Sequence, residues 1–129
     1  MSYILVVEDN PETADLVTRI LERSGFKVKQ TYRGLRGVQL ARAERPGLII
    51  MDLNLPDVTG QTAILLIKKQ LGNAAPPIIA LSGYTSVEYK EEALKIGCMA
   101  FLSKPLAVQE LLDTVSQFVT VTREPVSAH

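Results

Sequence analysis

The sequence is poor in the residues that would place it in several specialised classes of protein. It has a single cysteine, Cys98, so an internal disulfide framework is excluded, and its single histidine, His129, leaves no Cys/His cluster for zinc. Tryptophan is absent and aromatic residues make up 5% of the chain, which disfavours stacking platforms for nucleic-acid bases. The 14 basic residues equal the 14 acidic residues in number, so the charge balance argues against nucleic-acid or polybasic membrane partners.

Signals for export or membrane insertion are also lacking. The N-terminus leads directly into the apolar run 4–7, without the basic region or cleavage site of a signal peptide. No apolar run approaches the ~20 residues of a membrane-spanning helix. We therefore expect a cytoplasmic protein without membrane or nucleic-acid partners. Its 129 residues fit one domain, which buries roughly two thirds of the surface of the unfolded chain.

Apolar runs and helical patterns alternate along the chain. Four runs (4–7, 47–53, 78–81 and 99–102) are almost wholly apolar, as in strands buried on both faces, whereas 26–31 alternates as an edge strand does. Helical spacing follows each run, and the last helix is expected over 108–119. This alternation predicts an α/β fold: a doubly wound, five-stranded parallel sheet of order 2-1-3-4-5 between two helical layers, forming a three-layer sandwich.

Polar residues follow the predicted strands where the strands end. Glu8 and Asp9 follow the first strand, Asp52 the third, Ser82 the fourth and Lys104 the fifth. The carboxyl ends of parallel strands share one edge of a sheet, so these side chains are expected to meet near the switch point between strands one and three. Taken singly, each could be a helix cap, a turn residue or a solvated side chain. Their joint placement is hard to ascribe to coincidence.

The expected cluster favours a particular chemistry. Three carboxylates repel one another unless one is protonated or a cation is present, and hard oxygen ligands suit Mg²⁺. With Lys104 and Ser82 beside it, Asp52 has the surroundings of a nucleophile in phosphoryl transfer to a carboxylate. A flavodoxin-like FMN site is disfavoured because the acidic loop after the first strand would repel phosphate. A dinucleotide site is disfavoured because G-x-G-x-x-G is absent.

These residues resemble the receiver domain of two-component response regulators, the CheY-like form of the flavodoxin-like fold. The resemblance covers residues 3–120 and rests on the acidic pair, on Asp52 within D-x-x-L-P-x-x-x-G ending at Gly60, on Ser82, and on Lys104 followed by Pro105. It implies that Asp52 accepts a phosphoryl group from a histidine kinase or a histidine phosphotransfer protein. It also implies a cis peptide bond before Pro105, which is a minority state for such bonds.

The resemblance assigns further roles around this site. Mg²⁺ (or Mn²⁺) would be held by Asp9, Asp52 and the backbone carbonyl of Asn54, with Glu8 acting largely through water. Lys104 would contact the phosphoryl group. Relative to the commonest family pattern, Glu8 replaces an aspartate, a longer arm suited to binding the metal through water.

The resemblance also implies a conformational switch. Ser82 would move toward the phosphoryl group and Phe101 would turn inward, altering a face made of the fourth helix, fifth strand and fifth helix. By burial alone, the interpretation of Phe101 as an ordinary core residue is favoured, and the two interpretations are compatible, since a core residue with two rotamers is what a switch requires. Gly83 stands where alanine is usual, which should make the loop after Ser82 more mobile. Asn54 and Tyr84 flank the site at positions that tune hydrolysis in the family.

The predicted organisation is a receiver domain at 1–121 and a flexible tail at 122–129. We expect a stand-alone response regulator rather than an enzyme, with only self-directed phosphotransfer and autodephosphorylation. Three alternatives stay open: a domain of a larger regulator or hybrid kinase, a phosphate-blind adaptor, and an aspartyl-phosphate hydrolase. The hydrolase is disfavoured because Asn54 stands where its second acid belongs. Homodimer formation, the cognate kinase and the downstream target are left undecided.

Overall fold

The computed structural model describes residues 2–119 of the chain, in which strands and helices alternate. The strands form one parallel sheet of order β2-β1-β3-β4-β5, which confirms the predicted topology. Within residues 2–119, no helix has the length and apolarity needed to span a bilayer. In chain order the elements are β1 (Ile4–Val7), α1 (Pro11–Arg23), β2 (Val28–Thr31), α2 (Gly34–Glu44), β3 (Leu48–Asp52), α3 (Gly60–Leu71), the 3-10 turn Gly72–Ala74, β4 (Ile78–Ser82), α4 (Val87–Lys95), β5 (Ala100–Ser103) and α5 (Val108–Ser116).

Each face of the sheet carries its own hydrophobic core. Successive side chains of a strand point to opposite faces, so Leu5 packs in the core that α2, α3 and α4 cover, while Ile4 packs in the core under α1 and α5. β1, β3 and β4 are buried along their whole length. Burial on both faces explains their unbroken apolar sequences and confirms the three-layer sandwich.

Local sequence signals set most helix ends. Asn10 caps α1 by accepting hydrogen bonds from the backbone N–H groups of Glu12 and Thr13, and Pro11 begins the helix. Gly25 follows the same helix with a φ of 95°, the left-handed conformation that glycine adopts freely. At the end of α2, Arg45 takes the left-handed conformation (φ 48°) directly before Pro46.

The C-terminal part departs from the sequence-based boundaries. Strand β5 begins at Ala100, and the side chain of Met99 is 57% exposed although its run reads as buried strand. The reason is that β5 lies at the open edge of the sheet, with one neighbouring strand. Helix α5 ends at Ser116 rather than at residue 119, although Phe118 and Val119 still pack against the core beyond its end.

Two further sequence-based expectations concern buried and terminal residues. Cys98 is buried in the core, and burial raises the pKa of its thiol to about 12, as expected for an unreactive core residue. Leu35 has helical spacing with the buried Val38, yet it is exposed in the first turn of α2. The predicted boundary between a receiver domain at 1–121 and a tail at 122–129 lies outside the described residues.

Candidate functional site

The strand register brings the predicted site residues to the same edge of the sheet. Val7 pairs with Met51, so Glu8 and Asp52 lie one step beyond that pair on neighbouring strands. Asp52 pairs with Leu81 of β4, which puts Ser82 at the next position. The backbone N–H of Lys104 donates to the carbonyl of Ser82 at 2.8 Å and so ties the end of β5 to this edge. The structure therefore confirms that these residues converge.

Three carboxylates form the centre of this edge. Glu8, Asp9 and Asp52 each offer a carboxylate oxygen, and these oxygens all lie within 4.8 Å of one another. Glu8 and Asp52 are buried, whereas Asp9 is exposed. Glu8 Oε1 also accepts a hydrogen bond from the backbone N–H of Asn10 at 3.2 Å. Of the three carboxylate residues, Asp9 is therefore the exposed one.

Lys104 supplies the positive charge that faces the carboxylates. Its Nζ donates to Oε1 of Glu8 at 3.1 Å and to Oδ2 of Asp52 at 3.3 Å. Nζ also lies 3.0 Å from Oε2 of Glu8, which makes an ion pair. This buried oxygen accepts no hydrogen bond of good geometry from residues 2–119. Burial alone would lower the pKa of Lys104, but its bonds and proximity to Glu8 and Asp52 raise that pKa.

The surroundings of Asp52 disfavour the ionised form of its carboxyl group. Burial raises the pKa of its carboxyl to about 7, and the negative charge of Glu8 adds to this effect. A hydrogen bond from the backbone N–H of Asn54 to Oδ1, at 3.0 Å, and the charge of Lys104 act in the opposite direction. The single positive charge of Lys104 therefore does not neutralise the negative charge of the three carboxylates.

The donor set fits a hard divalent cation. It offers carboxylate oxygens from three residues, one of them exposed, and the buried Oε2 of Glu8 still lacks a directed hydrogen-bond donor. Mg²⁺ is bound through oxygen ligands, commonly one or two carboxylates together with carbonyls and water. An added positive charge would offset the surplus of negative charge at this edge.

Ser82 is fully buried at the end of β4, and it lies beside rather than within the charged cluster. Its Oγ accepts a hydrogen bond from the backbone N–H of Tyr84 at 3.0 Å. Within residues 2–119, no hydrogen bond joins Ser82 to the carboxylates of the cluster. Tyr84 itself is 61% exposed.

Two backbone features shape the loops around the cluster. The Lys104–Pro105 peptide bond is cis, as the family resemblance implies. A Cβ atom on Gly60 would collide with the backbone carbonyl of Asp52 and would lie 2.5 Å from Cα of Leu53, so only glycine fits there. The backbone N–H of Gly60 donates to the carbonyl of Leu53 at 3.0 Å, which closes the loop formed by residues 53–59.

Phe101 lies on β5 and is half-buried. Its ring packs edge-on against Tyr89 of α4, with 6.4 Å between the ring centroids, and Nζ of Lys90 lies 5.7 Å from the centre of the ring. The described structure thus places Phe101 against α4 rather than against the carboxylates. That position is compatible with both sequence interpretations of this residue, core and switch.

Comparison with protein families shows to which family this domain belongs. The family model of the response regulator receiver domain matches residues 4–116, which is most of the chain. The chain belongs to the response regulator receiver family. Receivers are signalling domains of two-component systems, and the flavodoxin-like, CheY-like fold expected from the sequence is confirmed.

Relatives span nearly the whole of this receiver. The polar-differentiation response regulator DivK of Brucella anthropi is 32% identical over 116 residues, which are 90% of this chain and 94% of that protein. The chemotaxis protein CheY4 of Vibrio cholerae is 28% identical, with a TM-score of 0.84 and coverage of 92% of this chain and 99% of that one. The receiver domain of a sensor histidine kinase from Pseudomonas aeruginosa PAO1 is 31% identical, with a TM-score of 0.82 and coverage of 91% and 96%.

The Pseudomonas structure bears on the metal. It holds a magnesium ion coordinated in its active-site cleft. In the present receiver, the carboxylate oxygens of Glu8, Asp9 and Asp52 lie close enough together to hold a metal ion.

Sequence reasoning missed two residues of this receiver that contact the neighbourhood of the site. Tyr89 joins Tyr84 to Phe101 through ring contacts, and its hydroxyl accepts a hydrogen bond from Nε2 of Gln61 at 3.0 Å. Asp57 binds the start of α2 through both carboxylate oxygens. No spacing rule signals either contact, because the partners lie on elements that meet only in the folded sheet.

Proposed function

We propose that this receiver is a phosphoacceptor, and that Asp52 takes a phosphoryl group from a phosphohistidine of a histidine kinase or phosphotransfer protein. The observation that supports this most is the placement of the Asp52 carboxylate, buried at the carboxyl edge, with Nζ of Lys104 3.3 Å from Oδ2 and two further carboxylates beside it. This arrangement has the parts that phosphoryl transfer requires, namely an oxygen nucleophile and cations for the transferred charge.

In the proposed step, an Asp52 oxygen forms a bond to phosphorus as the phosphorus–nitrogen bond of phosphohistidine breaks. The imidazole leaves with the electron pair. Asp52 must be ionised to attack, and its raised pKa makes this dependent on the positive charges around it. Lys104 would contact the oxygens of the transferred group, as its position between Glu8 and Asp52 supports.

The residues proposed to hold Mg²⁺ are Asp9, Asp52 and the backbone carbonyl of Asn54. Glu8 would act through water, since its carboxylate is already paired with Lys104. When bound, the ion would supply positive charge to the phosphoryl oxygens and offset the surplus charge of the cluster. Mn²⁺ would suit the same oxygen donors.

The conformational readout is proposed to pass through Ser82 and Phe101. Ser82 Oγ accepts one bond from Tyr84, which leaves its O–H hydrogen available to an incoming phosphoryl oxygen. The ring of Phe101 contacts Tyr89 of α4, so a change in the rotamer of Phe101 would alter the packing of α4. The proposed output face is α4, β5 and α5. Apolar side chains stand exposed on these helices and just before β5: Val87, Leu94, Met99 and Val108.

The proposal extends to form and partners. A stand-alone response regulator is supported by the relative DivK, 94% of which this chain spans, whereas the Pseudomonas relative is a domain of a sensor kinase. The cytoplasm is the proposed location, because a kinase draws its phosphoryl groups from ATP. A downstream protein would bind the output face, and Asn54 and Tyr84, at the rim of the site, would tune phosphoryl lifetime.

Phosphoryl uptake from a small donor tests the proposal. The wild type, Asp52→Asn and Asp113→Asn are incubated with acetyl phosphate and Mg²⁺, with a parallel arm in EDTA, and intact mass is measured. Asp113 is a control of the same chemistry, because it is exposed on α5 and its side chain bonds only to Gln109 within residues 2–119. One phosphoryl group is expected on the wild type and on the control with Mg²⁺, and none on Asp52→Asn. Uptake by Asp52→Asn, or no uptake by the wild type, would contradict the proposal.

A further inference from the structure

Asp57, in the loop between β3 and α3, caps a helix that is distant in sequence. Its Oδ1 accepts a hydrogen bond from the backbone N–H of Gly34 at 2.8 Å, and its Oδ2 accepts from Leu35 at 2.9 Å. The first N–H groups of a helix have no partner within the helix. At α2 the N-cap residue, Arg33, makes no capping bond and the first turn holds no acidic side chain. Asp57 therefore supplies the cap that the helix's own sequence lacks.

The same loop also packs on the start of α2. A Cβ atom on Gly34 would lie 2.6 Å from Cγ2 of Val58 and 3.1 Å from Cδ1 of Leu55, so the two side chains rest directly on the glycine backbone. Both are half-buried and pack against the core on this face of the sheet. Hydrogen bonds to Asp57 and apolar contacts from its neighbours thus both attach the middle of the loop to the start of α2.

Two attachments of the loop bracket Asn54, whose own backbone N–H also donates to Oδ1 of Asp52 at 3.0 Å. The loop is fixed at one end, where the N–H of Leu53 donates to the carbonyl of Leu81 and the carbonyl of Leu53 accepts from Gly60, each at 3.0 Å. Asn54 lies between that end and the attachment at Asp57. Of the side chains of residues 53–59, only those of Asp57 and Thr59 make hydrogen bonds within the described chain, and Thr59 caps its own helix α3.

We infer that Asp57 is a positioning residue for the metal and phosphoryl site, which it serves by holding the loop that carries Asn54 against the start of α2. The inference rests on the proposed function, because the backbone carbonyl of Asn54 matters only if it binds Mg²⁺. Asp57 touches neither the carboxylate cluster nor an incoming phosphoryl group. Its effect on the site passes through the backbone of the loop.

The charge of Asp57 supports the assignment. Partial burial would raise the pKa of its carboxyl, but hydrogen bonds from the N–H groups of Leu35 and Gly34 hold that pKa below its usual value. The side chain is therefore ionised at neutral pH. A negative charge at a helix N-terminus is favourable, because the helix dipole places positive charge there.

Magnesium affinity separates positioning from simple helix capping. Asp57→Ala removes both acceptors, Asp57→Asn keeps one, and Gln39→Gly is the matched control, because it weakens α2 at an exposed position away from the loop. Isothermal titration with Mg²⁺ measures affinity, and urea unfolding in EDTA measures stability. We expect both Asp57→Ala and Gln39→Gly to be less stable than the wild type. Only Asp57→Ala should bind Mg²⁺ about tenfold more weakly, a loss typical of residues that orient metal ligands.

Phosphoryl uptake gives a second readout. With acetyl phosphate, Asp57→Ala should take up phosphoryl slowly at low Mg²⁺ and approach the wild-type rate at saturating Mg²⁺, with Asp57→Asn in between. Gln39→Gly should match the wild type at both concentrations. Wild-type Mg²⁺ affinity in Asp57→Ala would overturn the positioning role and leave Asp57 as a helix cap. A wild type that binds no Mg²⁺ would instead overturn the proposed function, and the positioning role with it.

Discussion

Replacing Asp52 with asparagine is expected to stabilise the metal-free protein at high pH. Burial raises the pKa of Asp52 from 3.8 to about 7, so the folded state holds its proton more tightly than the unfolded state. The stability this contributes is full below pH 3.8 and is lost as pH rises through about 7. The shift of about three units, at 1.36 kcal/mol each, amounts to about 4 kcal/mol above pH 7. Asparagine keeps the acceptor for the N–H of Asn54 but carries no charge.

Urea unfolding followed by far-ultraviolet circular dichroism measures the effect, since the chain has no tryptophan. In EDTA at pH 8 we expect the free energy of unfolding of Asp52→Asn to exceed that of the wild type by about 2–4 kcal/mol, and the difference to shrink toward zero near pH 4. Saturating Mg²⁺ should stabilise the wild type and not the variant. Asp113→Asn, the exposed control, should stay within about 0.5 kcal/mol of the wild type throughout. Equal stability of Asp52→Asn and wild type at pH 8 in EDTA would refute the reasoning.

Three other substitutions and probes test separate parts of the account. Gly60→Ala should destabilise the fold by about 1–3 kcal/mol in urea unfolding, because the added Cβ meets the backbone of Asp52. Gly83→Ala should be nearly neutral, because its Cβ would have no neighbour within 4 Å. Equal losses of stability in the two variants would contradict the close approach of the backbone at Gly60. Lys104→Ala should stay folded by circular dichroism and still take up phosphoryl, yet lose the Mg²⁺- and beryllofluoride-dependent shifts of α4 and β5 amides in NMR spectra; an unfolded variant would make Lys104 structural. Cys98 should resist a thiol reagent in the native state and react on unfolding, since burial keeps its pKa at about 12; fast native labelling would show that its environment is open.

Much of the site was predictable because it follows from topology. Any parallel sheet of this order brings the ends of β1, β3, β4 and β5 to one edge, so the acids, Ser82 and Lys104 meet there whatever the details of the loops. The cap at Asn10 follows from local rules that act within a few residues.

The parts that escaped prediction depend on contacts between distant elements. Asp57 binds the N–H of Gly34, 23 residues away, and Tyr89 contacts Gln61 across 28 residues. Neither pairing leaves a periodic trace in the sequence. The exposure of Met99 follows from the open edge of the sheet at β5, which hydrophobic spacing alone does not encode.

The most direct test of the account is to locate the phosphoryl group. The protein is treated with acetyl phosphate and Mg²⁺, reduced with borohydride, which converts an aspartyl phosphate to homoserine, and then digested for tandem mass spectrometry. The account predicts homoserine at position 52, dependent on Mg²⁺, and no reduced side chain at Asp9 or Glu8. Modification at another residue, or unmodified Asp52 in a protein that has taken up phosphoryl, would contradict it.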